Sequence, residues 1–292
     1  MKIGMLMTPH STKRTSPLMS EVLALLEQWN VKVEVVYPDD HVTLLLGVRV
    51  EHDLYVLKAQ TELAHSIAGA LHAVGAPILN PWPVAVMMRD KVAAMRRLQA
   101  AGVPIPDTWL ISSPQRLAAL LEEGPLVIKP SRASKGHGAR IVWDADELED
   151  AILPGGGPLL AQRYHKPDGA DEDDRKIYCI GGQLFGVLRK VSARTFREKC
   201  GEPFTITKEL RDIAMRCADA FGVELFGVDL ILRDGKPYVV DIHSFPGFKG
   251  VPDAALRLAD YIYATARLAM AGRMIGGRDD DLAAPVAKAR SA

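Results

Sequence analysis

The 292-residue sequence predicts a parallel α/β domain followed by two α+β units. Three patterns carry that reading. Short β-type runs alternate with helix-period segments up to residue 80, a breaker cluster stands at Asn80-Pro81-Trp82-Pro83, and later β runs meet across glycine turns.

In the first unit, residues 1–80, β-type runs at Ile3 to Met7, Val31 to Val36 and Leu54 to Leu57 alternate with helical spacing at Pro17 to Trp29 and Thr61 to Val74. Strands separated by helices join in parallel. The loop Thr8 to Ser16 carries His10, Lys13 and Arg14 at the carboxyl end of a strand, where open α/β sheets take ligands. It reads equally as a solvated loop. The second unit, 81–157, opens with helical spacing from Val84 to Ala101, ended by Gly102. It continues with β runs at Thr108 to Ile111, Leu126 to Ile128 and Ala139 to Val142, and with helical segments at Pro114 to Glu122 and Ala145 to Ile152.

The third unit, 158–275, starts with a strand at Leu159 to Gln162 and an acidic loop, Asp171 to Asp174. A hairpin pairs Lys176 to Ile180 with Leu184 to Lys190 around Gly181-Gly182, and a second pairs Phe226 to Leu232 with Tyr238 to Ile242 around Asp234-Gly235. The amphipathic helix Thr207 to Phe221 lies between them, and a terminal helix begins at Pro252. The tail 276–292 has no apolar period and is expected to be mobile.

Composition removes several function classes. Lys+Arg and Asp+Glu are both 36, so no global field favours nucleic acid or an anionic membrane. A hydrophobic content of 48% excludes disorder as the main state. The three cysteines are odd in number and lack metal-ligand spacing, which fits reduced thiols in a cytoplasmic protein. The first apolar run is interrupted at Pro9, too early for a secretory signal, and Asp253, Arg257, Asp260 and Arg267 recur around the last helix and argue against a membrane span.

Two segments carry chemistry. In LVIKPSRASKGHGARIV, Lys129 ends a β run ahead of a loop whose Gly136 and Gly138 let backbone N–H groups approach phosphate oxygens. It is not a Walker A loop, and a plain surface turn is the alternative. In FGVDLILRDGKPYVVDIHSFPGFKG, Asp229 and Asp241 interrupt apolar β runs on neighbouring strands, where unpaired carboxylates are costly. A divalent cation resolves the conflict, with His243 a third ligand on the face of Asp241. Salt bridges to Arg233 or Lys236 are the alternative.

Lys91 in RDK, Lys129 before the Gly-rich loop, the segment LLAQRYH, Asp229 and DIHSFPGFKG together resemble the ATP-grasp superfamily, in its RimK-like glutamate ligase branch, from about residue 80 to 265. The resemblance implies the ATP-grasp fold, with ATP held between two α+β units. It makes Lys91 and Lys129 the phosphate-contacting lysines, the loop with Ser134, Gly136 and Gly138 a lid, and Gln162, Arg163, Tyr164 and His165 the adenine hinge. Asp174 and Lys176 resemble polar residues beyond that hinge. Asp229, Asp241 and His243 fall on the Asp, Glu and Asn positions that hold two Mg²⁺ ions.

Two departures weaken the metal set: Asp shortens the usual Glu, and an imidazole replaces a hard oxygen. One or two Mg²⁺, or Mn²⁺ in their place, therefore fit. Arg189, Lys190, Arg194 and Arg197 resemble the basic segment facing an acylphosphate. Only one of the adjacent pair Arg189 and Lys190 points into a cleft, and Lys190 is favoured. The implied reaction joins a small-molecule carboxylate and an amine, such as an amino acid or peptide, at the expense of ATP, in a homo-oligomer. An inositol polyphosphate kinase of the same superfamily also fits the Phe-Pro-Gly turn, and a nucleotide-binding scaffold without turnover is a third reading.

Overall fold

The apolar runs of the first unit form β1 (Lys2–Leu6), β2 (Lys32–Val36), β3 (Leu54–Leu57) and β4 (Ile78–Leu79), with helices α1 (Leu18–Gln28) and α2 (Glu62–Ala73). The computed structural model describes residues 1–8, 17–132, 139–149, 157–168, 173–190 and 195–273. Neighbouring strands are parallel in the order β2-β1-β3-β4. Only two residues long, β4 is too short to leave a periodic signal. The Thr61 hydroxyl caps α2 by accepting from the Ala64 N–H.

The helix expected from Val84 to Ala101 is two helices, α3 (Trp82–Arg89) and α4 (Lys91–Ala100). Asp90 breaks them: its carboxylate accepts from the N–H groups of Val92 and Ala93 and caps α4, while its backbone bridges to Arg132. The apolar period runs through the break, so pattern alone does not show it.

Next come β5 (Thr108–Ile111), α5 (Ala118–Leu121), β6 (Leu126–Pro130), β7 (Arg140–Val142) and β8 (Leu159–Arg163), which form an antiparallel sheet in the order β5-β8-β6-β7. The strand beginning at Leu159, read above as the start of the third unit, thus hydrogen-bonds between β5 and β6 of the second.

The third sheet, β11-β10-β9-β12-β13, contains β9 (Asp173–Ile180), β10 (Gln183–Lys190), β11 (Glu202–Phe204), β12 (Leu225–Arg233) and β13 (Lys236–His243). Between β10 and β11 lies α6 (Phe196–Cys200), closed by a capping box from Thr195 and Glu198. Helices α3, α4 and α7 (Lys208–Phe221) cover one face of this sheet, with Met88, Leu98, Ile213, Cys217 and Phe226 in one buried cluster. Its other face looks toward Lys129 at the end of β6.

The last helix, α8 (Ala254–Met270), packs against α1, placing Leu258 and Ile262 with Val22 and Leu26. The core of the N-terminal sheet is therefore completed by residues near the other end of the chain. Among the described residues no helix is long and apolar enough to cross a membrane, and Cys179, Cys200 and Cys217 are free. Ser134, Gly136, Gly138, Arg194, the basic residues of the first loop, Asp171 and Glu172, and the tail from 276 lie outside the described residues.

Candidate active site

A β-bulge sets the geometry of the site. Leu230 stands opposite Val239 and both face the core, while the next pair is Asp229 with Asp241. Val240 is the extra residue on β13. It shifts the alternation by one position, so that Asp241 leaves the face of Val239 and joins Asp229 on the opposite one. Lys176 on β9 lies opposite Asp229, and His243 lies opposite Gly227, which is itself opposite Tyr178. Directly opposed residues share a face, so Lys176, Tyr178, Asp229, Asp241 and His243 all line the cleft.

That cleft has a volume of about 670 Å³. Lys91, Lys129, Lys176, Arg89, Arg189 and Lys249 line it against the carboxylates of Asp229 and Asp241. Glu62 pairs with Arg89 and Asp174 with Arg189, so six cations against four anions leave an excess of two positive charges, which suits a polyphosphate. Lys176 donates to Asp229, and Lys91 to Asp241. Lys91 reaches this position because its own N–H donates to the Ser131 carbonyl at 2.8 Å, which fixes the start of α4 beside β6. The Lys129 ammonium donates to the Val240 carbonyl at 2.9 Å, so the bulge also supplies its anchor.

Burial alone would raise the Asp229 carboxyl, but Lys176 and His243 outweigh it and hold the group far below the usual carboxylate range. Asp241 is also lowered: burial opposes, while His243, Lys91 and Lys129 prevail. Burial lowers Lys129 to about 8 against the pull of Asp241. The salt bridges to Arg233 or Lys236 considered from sequence are not formed; Arg233 instead meets His165, at 2.8 Å.

Comparison with known proteins identifies the family. Residues 88–263 match the RimK-like ATP-grasp domain. This chain belongs to the RimK-like ATP-grasp family. A probable alpha-L-glutamate ligase of Thioalkalivibrio sulfidiphilus is 28% identical over a 196-residue alignment that covers 61% of this chain and 64% of the relative. The coenzyme gamma-F420-2:alpha-L-glutamate ligase of Methanocaldococcus jannaschii is 27% identical over a 237-residue alignment that covers 71% of this chain and 80% of the relative. The fold matches that of the ATP-grasp ligase PsnB, solved with minimal precursor, Mg and ADP, at a TM-score of 0.66 and 19% identity, covering 90% of this chain and 97% of that one.

Other expected ATP-grasp positions are placed differently. The parity of β10 puts Arg189, opposite Asp174, on the cleft face, while Lys190 is exposed on the other. The preference for Lys190 is thereby corrected. Asp174 binds Arg189, whose Nε lies 2.7 Å from its Oδ2, so it stands with the basic strand and not at the hinge. Burial and the neighbouring Asp229 charge raise its carboxyl. Arg197 is exposed on α6 and does not line the cleft.

In the hinge segment Gln162 is buried and its amide donates to the Thr108 hydroxyl at 3.1 Å. Arg163 turns to the Leu120 and Gly124 carbonyls, and His165 stacks on Tyr238 with ring centroids 4.5 Å apart. The N–H groups of Arg163 and Tyr164 already donate to Asp107 and Pro125. The segment expected to be the adenine hinge therefore has both of these N–H groups already engaged.

Asp229 and Asp241 present hard oxygens side by side and fit a divalent cation. His243 Nε2 lies 3.4 Å from Asp229 and 3.9 Å from Asp241. Among the described residues no three His, Cys, Asp or Glu side chains form a ready-made metal cage.

Sequence reasoning missed Lys58 and Asn80. The Asn80 amide donates to the Leu225 and Ser244 carbonyls at 2.6 Å and ties the breaker cluster to the end of β13. The Lys58 ammonium, next to β3, donates to the Phe245 and Pro246 carbonyls at 3.0 and 2.9 Å. Its place at the carboxyl end of a parallel strand was the available signal. Burial, aided by Lys249, lowers Lys58 from its ordinary 10.5 to about 7.

Between those two pH values the unfolded chain holds a proton that the folded chain lacks, so this group makes stability rise with pH across that window. The stability of the wild type relative to Lys58→Met is expected to grow from pH 7 to pH 10 in urea unfolding. A difference constant with pH would contradict this.

Proposed function

We propose that this protein is an ATP-dependent carboxylate–amine ligase that forms an amide or peptide bond through an acylphosphate and releases ADP and phosphate. The observation that carries the reading is the pair Asp229 and Asp241, opposed on the cleft floor among Lys91, Lys129, Lys176 and Arg189. The glutamate ligase names of the curated relatives support the same reaction class. The cysteine pattern supports a cytoplasmic protein, and the family resemblance supports a homo-oligomer.

In the proposed reaction a carboxylate oxygen takes the γ-phosphoryl group and ADP leaves. The amine nitrogen then attacks the acyl carbon, phosphate departs, and the amine proton passes to solvent. Asp229 and Asp241 would hold Mg²⁺, or Mn²⁺ in its place, which when bound neutralises charge on the phosphates. Lys91 and Lys129 bind the phosphates from the β6 side, and Lys176 and Arg189 approach from the third sheet. These fixed cations align two anions that would otherwise repel, so the protein needs no nucleophile of its own.

The test is ADP formation with pools of carboxylic acids and amines, read by phosphate release and product mass. ADP formation that requires both partners supports ligation; a phosphorylated polyol made from inositol phosphates without an amine overturns it. Lys129→Met is expected to weaken nucleotide binding about tenfold or more, since it removes a charge-assisted contact. Titration calorimetry with a non-hydrolysable ATP analogue checks this, and an unchanged affinity would take Lys129 out of the phosphate site.

A further inference from the structure

Lys58 is a largely buried cation that the proposed reaction does not use. Its ammonium is met by backbone, at the Phe245 and Pro246 carbonyls, and lies 4.5 Å from the centroid of the Phe245 ring. Asn80 adds a bond of 2.6 Å from its amide to the Ser244 carbonyl. Three successive carbonyls therefore accept from side chains of the N-terminal unit.

These carbonyls belong to the loop that leaves His243 and lines the cleft. The sheet supports the same loop from the other direction. A Cβ at Gly227 would stand 3.0 Å from Pro246 Cγ and 3.1 Å from the Tyr178 ring, so the glycine leaves room for Pro246 on β12. Gly227 is the residue opposite both His243 and Tyr178. The cleft wall is thus held between packing on the sheet floor and a cation reaching in from the end of β3. Burying an ammonium against carbonyls alone costs stability that an apolar side chain would not, and such departures gather at functional sites.

We infer that Lys58 is a positioning residue for the ligation, which fixes the cleft wall beyond His243 by holding the Phe245 and Pro246 carbonyls. The inference rests on the ligase reading and gives the N-terminal unit a part in the chemical step. Lys91 and Lys129, assigned to the phosphates, stand on α4 and β6, so loss of Lys58 leaves nucleotide binding in place. What it disturbs is the alignment of acid and amine with the phosphoryl group. Rate depends steeply on alignment: a displacement of about 1 Å can cost about a hundredfold.

The experiment compares the full-length wild type with Lys58→Met at pH 7 by three readouts: ADP formation with the pools of acids and amines, calorimetric binding of a non-hydrolysable ATP analogue with Mg²⁺, and hydrogen exchange of residues 244–251 by mass spectrometry. Lys58→Met is expected to lower kcat about tenfold to a hundredfold, with analogue affinity changed by less than about threefold and faster exchange in the loop. Lys58→Arg, which keeps donors for both carbonyls, is expected to recover part of kcat. Should Lys58→Met fail to fold, Lys58→Gln takes its place with the same expected results. A lower melting temperature with kcat per folded molecule unchanged would make Lys58 a stabilising residue only and overturn the inference. So would a parallel fall in analogue affinity, unchanged exchange in the loop, or Lys58→Arg as slow as Lys58→Met. Absence of analogue binding in the wild type would instead overturn the ligase reading, and the exchange readout would still test the tether.

Discussion

Asp229→Asn is expected to lower ADP formation by about a thousandfold or more, the scale seen when the main electrostatic element of phosphoryl transfer is removed. The amide keeps the volume and shape of the side chain but loses the charge that the cation requires. It also strands Lys176, whose side chain is 10% exposed and which loses its carboxylate partner. Breaking a buried pair from one side costs about 3–5 kcal/mol of stability. A loss of activity alone would therefore confuse unfolding with chemistry. The double variant Asp229→Asn, Lys176→Met separates them, because it leaves no unpaired charge: its melting temperature is expected to recover toward wild type while turnover does not. Recovery of both would show that Asp229 serves only as the partner of Lys176. A metal titration adds an independent readout, since the remaining turnover of the single variant should demand more Mg²⁺ than the wild type.

The pairing that makes this argument possible was only half legible in the sequence. Asp229 and Asp241 interrupt apolar runs, and a buried carboxylate in such a run demands a partner, so their importance could be read directly. Their juxtaposition could not. With a two-residue turn at Asp234-Gly235, regular alternation sets Asp229 opposite Val240 and sends Asp241 into the core. The bulge at Val240 reverses this, and it is stabilised by Lys129, a residue more than a hundred positions earlier. Local pattern carries no trace of a contact so distant. The break at Asp90 shows a similar limit: an aspartate inside an unbroken apolar period caps the next helix, and its backbone bridges to Arg132, a distant partner that the local pattern does not reveal. The order of strands and helices was legible because periodicity is local. The positions of β8 and α8, which join sheets and cores across the chain, were not.

Arg189 and Lys190 offer the sharpest contrast between neighbouring residues. Strand alternation places them on opposite faces, and the register Arg189 to Asp174 decides which face belongs to the cleft. Arg189→Met is expected to lower kcat/KM by about a hundredfold to a thousandfold, the effect of removing a fixed cation from a site of developing negative charge. Lys190→Met is expected to change it by less than about threefold, the scale of a surface substitution. The Arg189 variant should still fold, because Asp174, already raised by burial and by Asp229, can take a proton once its cation is gone and avoid standing as a buried unpaired charge. Steady-state kinetics of the two variants side by side decides the matter. Loss of activity on removing Lys190 with Arg189 dispensable would mean that β10 presents its other face to the substrate, and the cationic side of the cleft would have to be reassigned.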